Sequence, residues 1–118
     1  MALKITPEMI RAMYEYLAVS PPFIDWNIRD VDDEITFVVT RDRDFGWTKF
    51  FKRSRHVEIA ISEKTVGSTH KLAETLAHEM IHLHLFDIGA DRNGRHGVAF
   101  RACAEEVCAA HGWDARAF

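Results

Sequence analysis

Residues 69–86 read THKLAETLAHEMIHLHLF, and the spacing of their polar members decides what kind of element they form. On a helical wheel Lys71, Glu74, Thr75, His78, Glu79 and His82 fall in one stripe about 140° wide. Leu72, Ala73, Leu76, Ala77, Met80, Ile81, Leu83 and Leu85 fill most of the remaining surface. A helix this apolar is largely buried, so its polar stripe faces a cleft or another element. Two imidazoles and a carboxylate are costly there without partners. Just upstream, Gly67-Ser68-Thr69 interrupts the chain and offers hydroxyl caps for the helix start.

Inside the stripe, His78-Glu79-Met80-Ile81-His82 is an HExxH motif. Residues four apart on a helix lie one above the other, so both imidazoles reach a single metal ion from the same face. Glu79 sits about 100° round from His78, near enough to handle an attacking water without ligating the ion. That is the layout of a zinc hydrolase. Seven histidines in 118 residues make a chance match a real risk, so a third ligand has to decide. A histidine six residues after His82 is excluded, because that position is Ile88. Glu105 or Glu106 on a following helix, and His96 in His96-Gly97-Val98-Ala99-Phe100, are the remaining candidates.

Working outward, Thr6-Pro7-Glu8 is a helix start with a capping hydroxyl, proline at the first helical position and an acid near the positive end of the dipole. The helix runs to about Val19, with Met9, Ile10, Met13, Tyr14 and Leu17 on one face, and Pro21-Pro22 stops it. Residues 25–34 are acidic and read as a solvated connection anchored by Trp26, Ile28 and Val31. Three strands follow over Ile35–Thr40, Trp47–Lys52 and His56–Ser62, joined by Arg41–Gly46 and Arg53–Arg55 as hairpin connections. The third alternates Val57, Ile59 and Ile61 with Glu58, Ala60 and Ser62, which predicts an antiparallel sheet covered on one side. Asp87–Gly94 reads as a loop through Gly89, Asp91, Asn93 and Gly94, and a last helix spans Val98–His111 with Gly112 as its cap. The expected fold class is α+β.

Residues 78–100 resemble the SprT-like metallopeptidases, the family that includes the Spartan proteases. That family's pattern is a helical HExxH, a loop of about a dozen residues, and a His-Gly-x-x-Phe at the head of a helix. The resemblance extends over roughly Ile35–Val107. It implies a zincin-like core, with His78, His82 and His96 as zinc ligands, Glu79 as the catalytic carboxylate, and a zinc endopeptidase acting on proteins, including proteins bound or crosslinked to DNA. Many members continue into a cysteine-rich zinc ribbon; the sequence to Phe118 carries none, so a single domain over residues 1–118 is expected.

Other residues read more plainly. His84 points away from the stripe and suits packing, while His56, His70 and His111 suit surface or capping roles. Asp87 and Asp91 suit loop turns, with a role in orienting a ligand imidazole as the alternative. Arg95, Tyr14 and Tyr16 are candidate oxyanion donors. Six basic residues, Arg41, Arg43, Lys49, Lys52, Arg53 and Arg55, lie among Phe45, Trp47, Phe50 and Phe51, a composition that suits DNA contact or an ordinary hairpin with a buried aromatic face.

A net charge of −3 argues against a free-standing, strongly basic nucleic-acid binder. No apolar run approaches a membrane span and Met1–Thr6 is not organised as a signal peptide, so a cytoplasmic location is expected, with chromosome association implied by the resemblance. Cys103 and Cys108 are expected as reduced thiols. The substrate is expected to lie extended along a sheet edge, with low sequence specificity. The competing reading is a non-catalytic, metal-stabilised adaptor of the same fold for nucleic acid or protein. Glu79 argues against it, since an adaptor does not need a carboxylate there.

Overall fold

The computed structural model describes residues 4–91 and 94–118. Asn93 of the expected loop, and Met1–Leu3 of the leader reading, lie outside them. The element order is α1 (Pro7–Ala18), β1 (Ile35–Thr40), β2 (Gly46–Phe51), β3 (His56–Ser62), α2 (Thr69–Asp87) and α3 (Val98–His111), followed by a short 3₁₀ turn at Ala115–Ala117 that the sequence reading did not anticipate. The helix ends follow local chemistry. Thr6 accepts a hydrogen bond from Met9 N, Ser68 accepts one from Lys71 N, and Gly112 ends α3 in the left-handed conformation at φ 74°.

The sheet is mixed, not antiparallel. Its strand order is β1-β3-β2, with β1 parallel and β2 antiparallel to β3. The connection 41–45 is therefore not a hairpin; it crosses the end of β3. Ser62 holds it there, donating from its backbone N–H to the Phe45 carbonyl (2.8 Å) and from Oγ to the Asp42 carbonyl (2.6 Å). Thr65 Oγ1 adds a bond to the Asp44 carbonyl at 3.2 Å. The physical reason for the central position of β3 lies in its composition. Val57, Ile59 and Ile61 are fully buried, and so are Ala60 and Ser62 on the opposite face, as an interior strand requires.

The register puts Ile35, Phe37 and Val39, then Val57, Ile59 and Ile61, then Gly46, Thr48 and Phe50 on one sheet face. α1 and α2 cover that face, with Tyr14 against Phe37 (ring centroids 5.7 Å) and Phe50 stacked on Phe86 (4.2 Å). Trp47, Lys49 and Phe51 consequently lie on the other face. Gly46 brings the start of β2 close to α2. A Cβ there would meet the Ala60 carbonyl oxygen at 2.5 Å and the Thr75 methyl at 3.2 Å, so this approach requires glycine.

The acidic segment between α1 and β1 is anchored differently from expectation. Besides Phe23 and Val31, its main anchor is Arg29, whose side chain is 1% exposed. The Arg29 guanidinium grips both carboxylate oxygens of Asp87, at the end of α2, and donates to the Arg55 carbonyl at 2.7 Å. The Tyr14 hydroxyl in turn donates to the Arg29 carbonyl, tying α1 to the same knot.

Candidate metal centre

α2 delivers His78 and His82 one above the other, with Glu79 about 100° round from His78, and the loop after it returns the chain so that His96 stands opposite, just before α3. His96 Nε2 lies 3.2 Å from His78 Nε2 and 3.2 Å from His82 Nε2, and the three ligand atoms all fall within 4.8 Å of one another. The loop's return is shaped by Gly94, whose φ of 73° few other residues adopt. Phe100, one turn into α3, holds the cluster from below. Its ring stacks on His96 (4.2 Å) and His82 (4.7 Å) and leans on His78 (4.9 Å). That contact gives the phenylalanine of His-Gly-x-x-Phe its physical role.

Such a cluster fits a cation better than it fits itself. One nitrogen of His96 faces two others, and its single proton or lone pair cannot serve both contacts well. Burial, then the neighbouring His82 and His96 imidazoles and Lys71, pushes His78 down to about 3. Burial, followed by His96, also lowers His82, against an opposing pull from Asp91. His78 and His82 are thus neutral at ordinary pH, with lone pairs available to a metal. Nitrogen ligands about 2.0–2.1 Å from a tetrahedral zinc stand about 3.3 Å apart, close to the spacings observed. Three imidazoles also suit nickel, copper or iron by donor type.

Glu79 is 5% exposed, and burial pushes its carboxyl up to about 7, although a hydrogen bond from Thr48 acts in the lowering direction. Thr48 Oγ1 donates to Glu79 Oε1 at 2.6 Å. The sequence reading missed this partner, since nothing local distinguishes one threonine on a strand from another. A cleft of about 380 Å³ opens at this point. Lys71, Glu74, Thr75, His78 and Glu79 form one wall, so the polar stripe of α2 does face a cleft; Phe45, Gly46 and Phe118 form much of the rest.

The other candidates separate from this centre. Glu106 accepts from Trp26 Nε1 (3.1 Å) and Glu105 is exposed; among the described residues only the three histidines cluster. Tyr14 is spent in the core and Tyr16 is 61% exposed in a groove with the first turn of α2, away from the cleft; Arg95, exposed next to His96, is the nearest in sequence of the three proposed oxyanion donors. His84 stacks on Trp26 (4.6 Å). His56 bonds Thr36 (2.7 Å), His70 pairs with Glu74 (3.0 Å), and His111 meets Ser20 (3.3 Å). Cys103 and Cys108 are free. The basic residues divide between the two ends of β2, with Arg41 and Arg43 before it and Lys52, Arg53 and Arg55 after it, and only Lys49 between. No helix among the described residues is long and apolar enough to cross a membrane.

With that geometry established, comparison with known proteins adds one finding: the model of the SprT-like family matches residues 26–116, most of the chain. No curated protein and no solved structure matches.

Proposed function

The chain belongs to the SprT-like family, and on that premise we propose that it is a zinc-dependent endopeptidase with His78, His82 and His96 as the metal ligands and Glu79 as the general base. The observation that carries this reading is the convergence of three imidazoles, with His78 and His82 held neutral, beside a carboxyl whose affinity for protons is raised toward neutrality. His78, His82 and His96 would hold the zinc, which when bound would supply Lewis-acid activation of the attacking water and of the substrate carbonyl. Glu79 accepts the proton from that water on the oxygen Thr48 leaves free, then gives it to the departing amine. A carboxyl poised near 7 can do both.

Among the described residues β2 pairs only with β3, which leaves the other edge of this strand, whose Thr48 reaches Glu79, for an extended peptide backbone. Recognition there is through the backbone, so broad sequence tolerance follows. The proposed substrates include proteins bound or crosslinked to DNA. DNA would contact Trp47, Lys49 and Phe51 on the uncovered sheet face, with the basic residues at each end of β2 against phosphates.

The test is cleavage of free and DNA-bound proteins, with and without single-stranded DNA, by the wild type and by Glu79→Gln. Cleavage by the wild type alone supports the reading. Equal cleavage by both rules out Glu79 as the base, and none by either favours the non-catalytic, metal-stabilised adaptor. Zinc should be present at about one per chain, survive Glu79→Gln and be lost in His82→Ala.

A further inference from the structure

His82 has two ring nitrogens, and they face different partners. Nε2 points at His96, whereas Nδ1 points at Asp91, in the loop that follows α2. The His82 and Asp91 side chains are 8% and 9% exposed, and Nδ1 and Asp91 Oδ1 are both buried without a hydrogen-bond partner among the described residues, 3.6 Å from each other. Buried polar atoms nearly always have partners. Here each unpartnered atom has the other as its nearest complement, and a shift of about half an ångström closes the bond.

The second Asp91 oxygen is already engaged. Oδ2 accepts from Gly94 N–H at 3.0 Å, and the Asp91 backbone N–H donates to the Leu85 carbonyl at 3.1 Å. One carboxylate therefore touches both halves of the cluster: the loop that returns His96 through one oxygen, and the His82 ring through the other.

We propose that Asp91 is a positioning residue that accepts a hydrogen bond from His82 Nδ1–H. This fixes the ring orientation and the tautomer whose Nε2 lone pair is free for the metal. The inference rests on reading the three histidines as a metal centre. Partners of this type typically change metal affinity by about 10–100-fold.

Asp91→Asn separates the two jobs of the carboxylate. An asparagine has one acceptor oxygen. If that oxygen keeps the Gly94 turn, the amide NH₂ faces His82 Nδ1 and favours the tautomer protonated on Nε2, which blocks ligation. Asp91→Ala loses both contacts. The experiment is a chelator-competition titration of Zn²⁺ on wild type, Asp91→Asn and Asp91→Ala, with thermal melts of the metal-free proteins and ¹⁵N imidazole shifts to read the His82 tautomer. The expected result is that Asp91→Asn binds zinc about 10–100-fold more weakly, keeps the wild-type melting temperature without metal, and moves the His82 proton to Nε2. Wild-type zinc affinity in Asp91→Asn overturns the proposal. So does a metal-free melting temperature lowered as far as in Asp91→Ala with the tautomer unchanged, which would make Asp91 a loop residue only. Failure of the wild type to bind one equivalent of zinc is a different outcome: it removes the metal centre and the inference with it. If Asp91→Asn does not fold, the wild-type tautomer decides alone, since a His82 proton on Nε2 contradicts the proposal.

Discussion

α2 takes part in two partly buried polar clusters, and they are built on opposite principles. At its end, Asp87 meets Arg29, and the guanidinium is saturated by both carboxylate oxygens and a backbone carbonyl. Two turns earlier, His78, His82 and Glu79 face His96, with nitrogens pressed together and His82 Nδ1 left without a hydrogen-bond partner among the described residues. Arg29 in one and Glu79 and His82 in the other are buried, where an incomplete network is expensive. The complete one locks α1, the acidic connection, the β2–β3 turn and α2 together. In the incomplete one the crowded Nε2 atoms of three histidines form a set that suits a cation, and the unfavourable geometry of the protein atoms alone is what such a site costs. Completeness of the hydrogen bonding, more than burial or charge, separates the structural cluster from the candidate metal centre.

The largest effect that would sharpen this contrast is on activity. Glu79→Gln should lower kcat/KM by about 10²–10⁴-fold while leaving thermal stability equal or higher, because a neutral amide relieves a buried carboxyl; a melt and a cleavage assay on the same preparation check both halves. Next in size, Arg29→Ala leaves Asp87 only its longer contact with Arg55 (3.7 Å) and the Arg55 carbonyl without its donor, and should cost about 1–3 kcal/mol in urea unfolding, with zinc affinity of the folded protein unchanged. A loss under about 1 kcal/mol would break the comparison, because the network would then not be structural.

A smaller effect follows from Thr48→Val. Its hydroxyl holds the Glu79 carboxyl down, so removal moves that pKa upward and shifts the acid limb of the kcat/KM profile to higher pH. Activity at the alkaline plateau should be nearly retained. The smallest is a property of the metal-free protein. His78 titrates near 3 when folded against an ordinary value of 6.5, so the unfolded chain binds the proton first. Stability from this group is fully present above about 6.5 and is lost progressively toward about 3. Melting temperature of chelator-treated protein should fall over that window, with a flatter dependence in His78→Ala; a pH-independent melt would contradict the buried, neutral imidazole.

The parts that were legible in the sequence were those whose causes are local. Capping hydroxyls at Thr6 and Ser68, the glycine at Gly112 and the apolar periodicity of residues 69–86 set the helices to within a residue or two. Four-residue spacing already put His78 and His82 on one face. What was misjudged was non-local. Alternation in β3 specifies which side chains share a face, but it carries no information about which strand lies alongside, so a parallel β1-β3 pair was read as part of an antiparallel meander. Arg29 looked like one charge in a solvated connection, because its value comes from Asp87, 58 residues away.

By itself, then, the chain determined its helices, its strand segments and the chemistry offered by HExxH, since hydrogen-bond geometry and side-chain periodicity act within a few residues. Only the tertiary structure decided that β3 is central, that Thr48 reaches Glu79, and that Asp91 faces His82 across the cluster. Those contacts join residues 9 to 31 positions apart. Their formation depends on how apolar faces pack and how the loop after α2 turns, and no local pattern in the sequence encodes either.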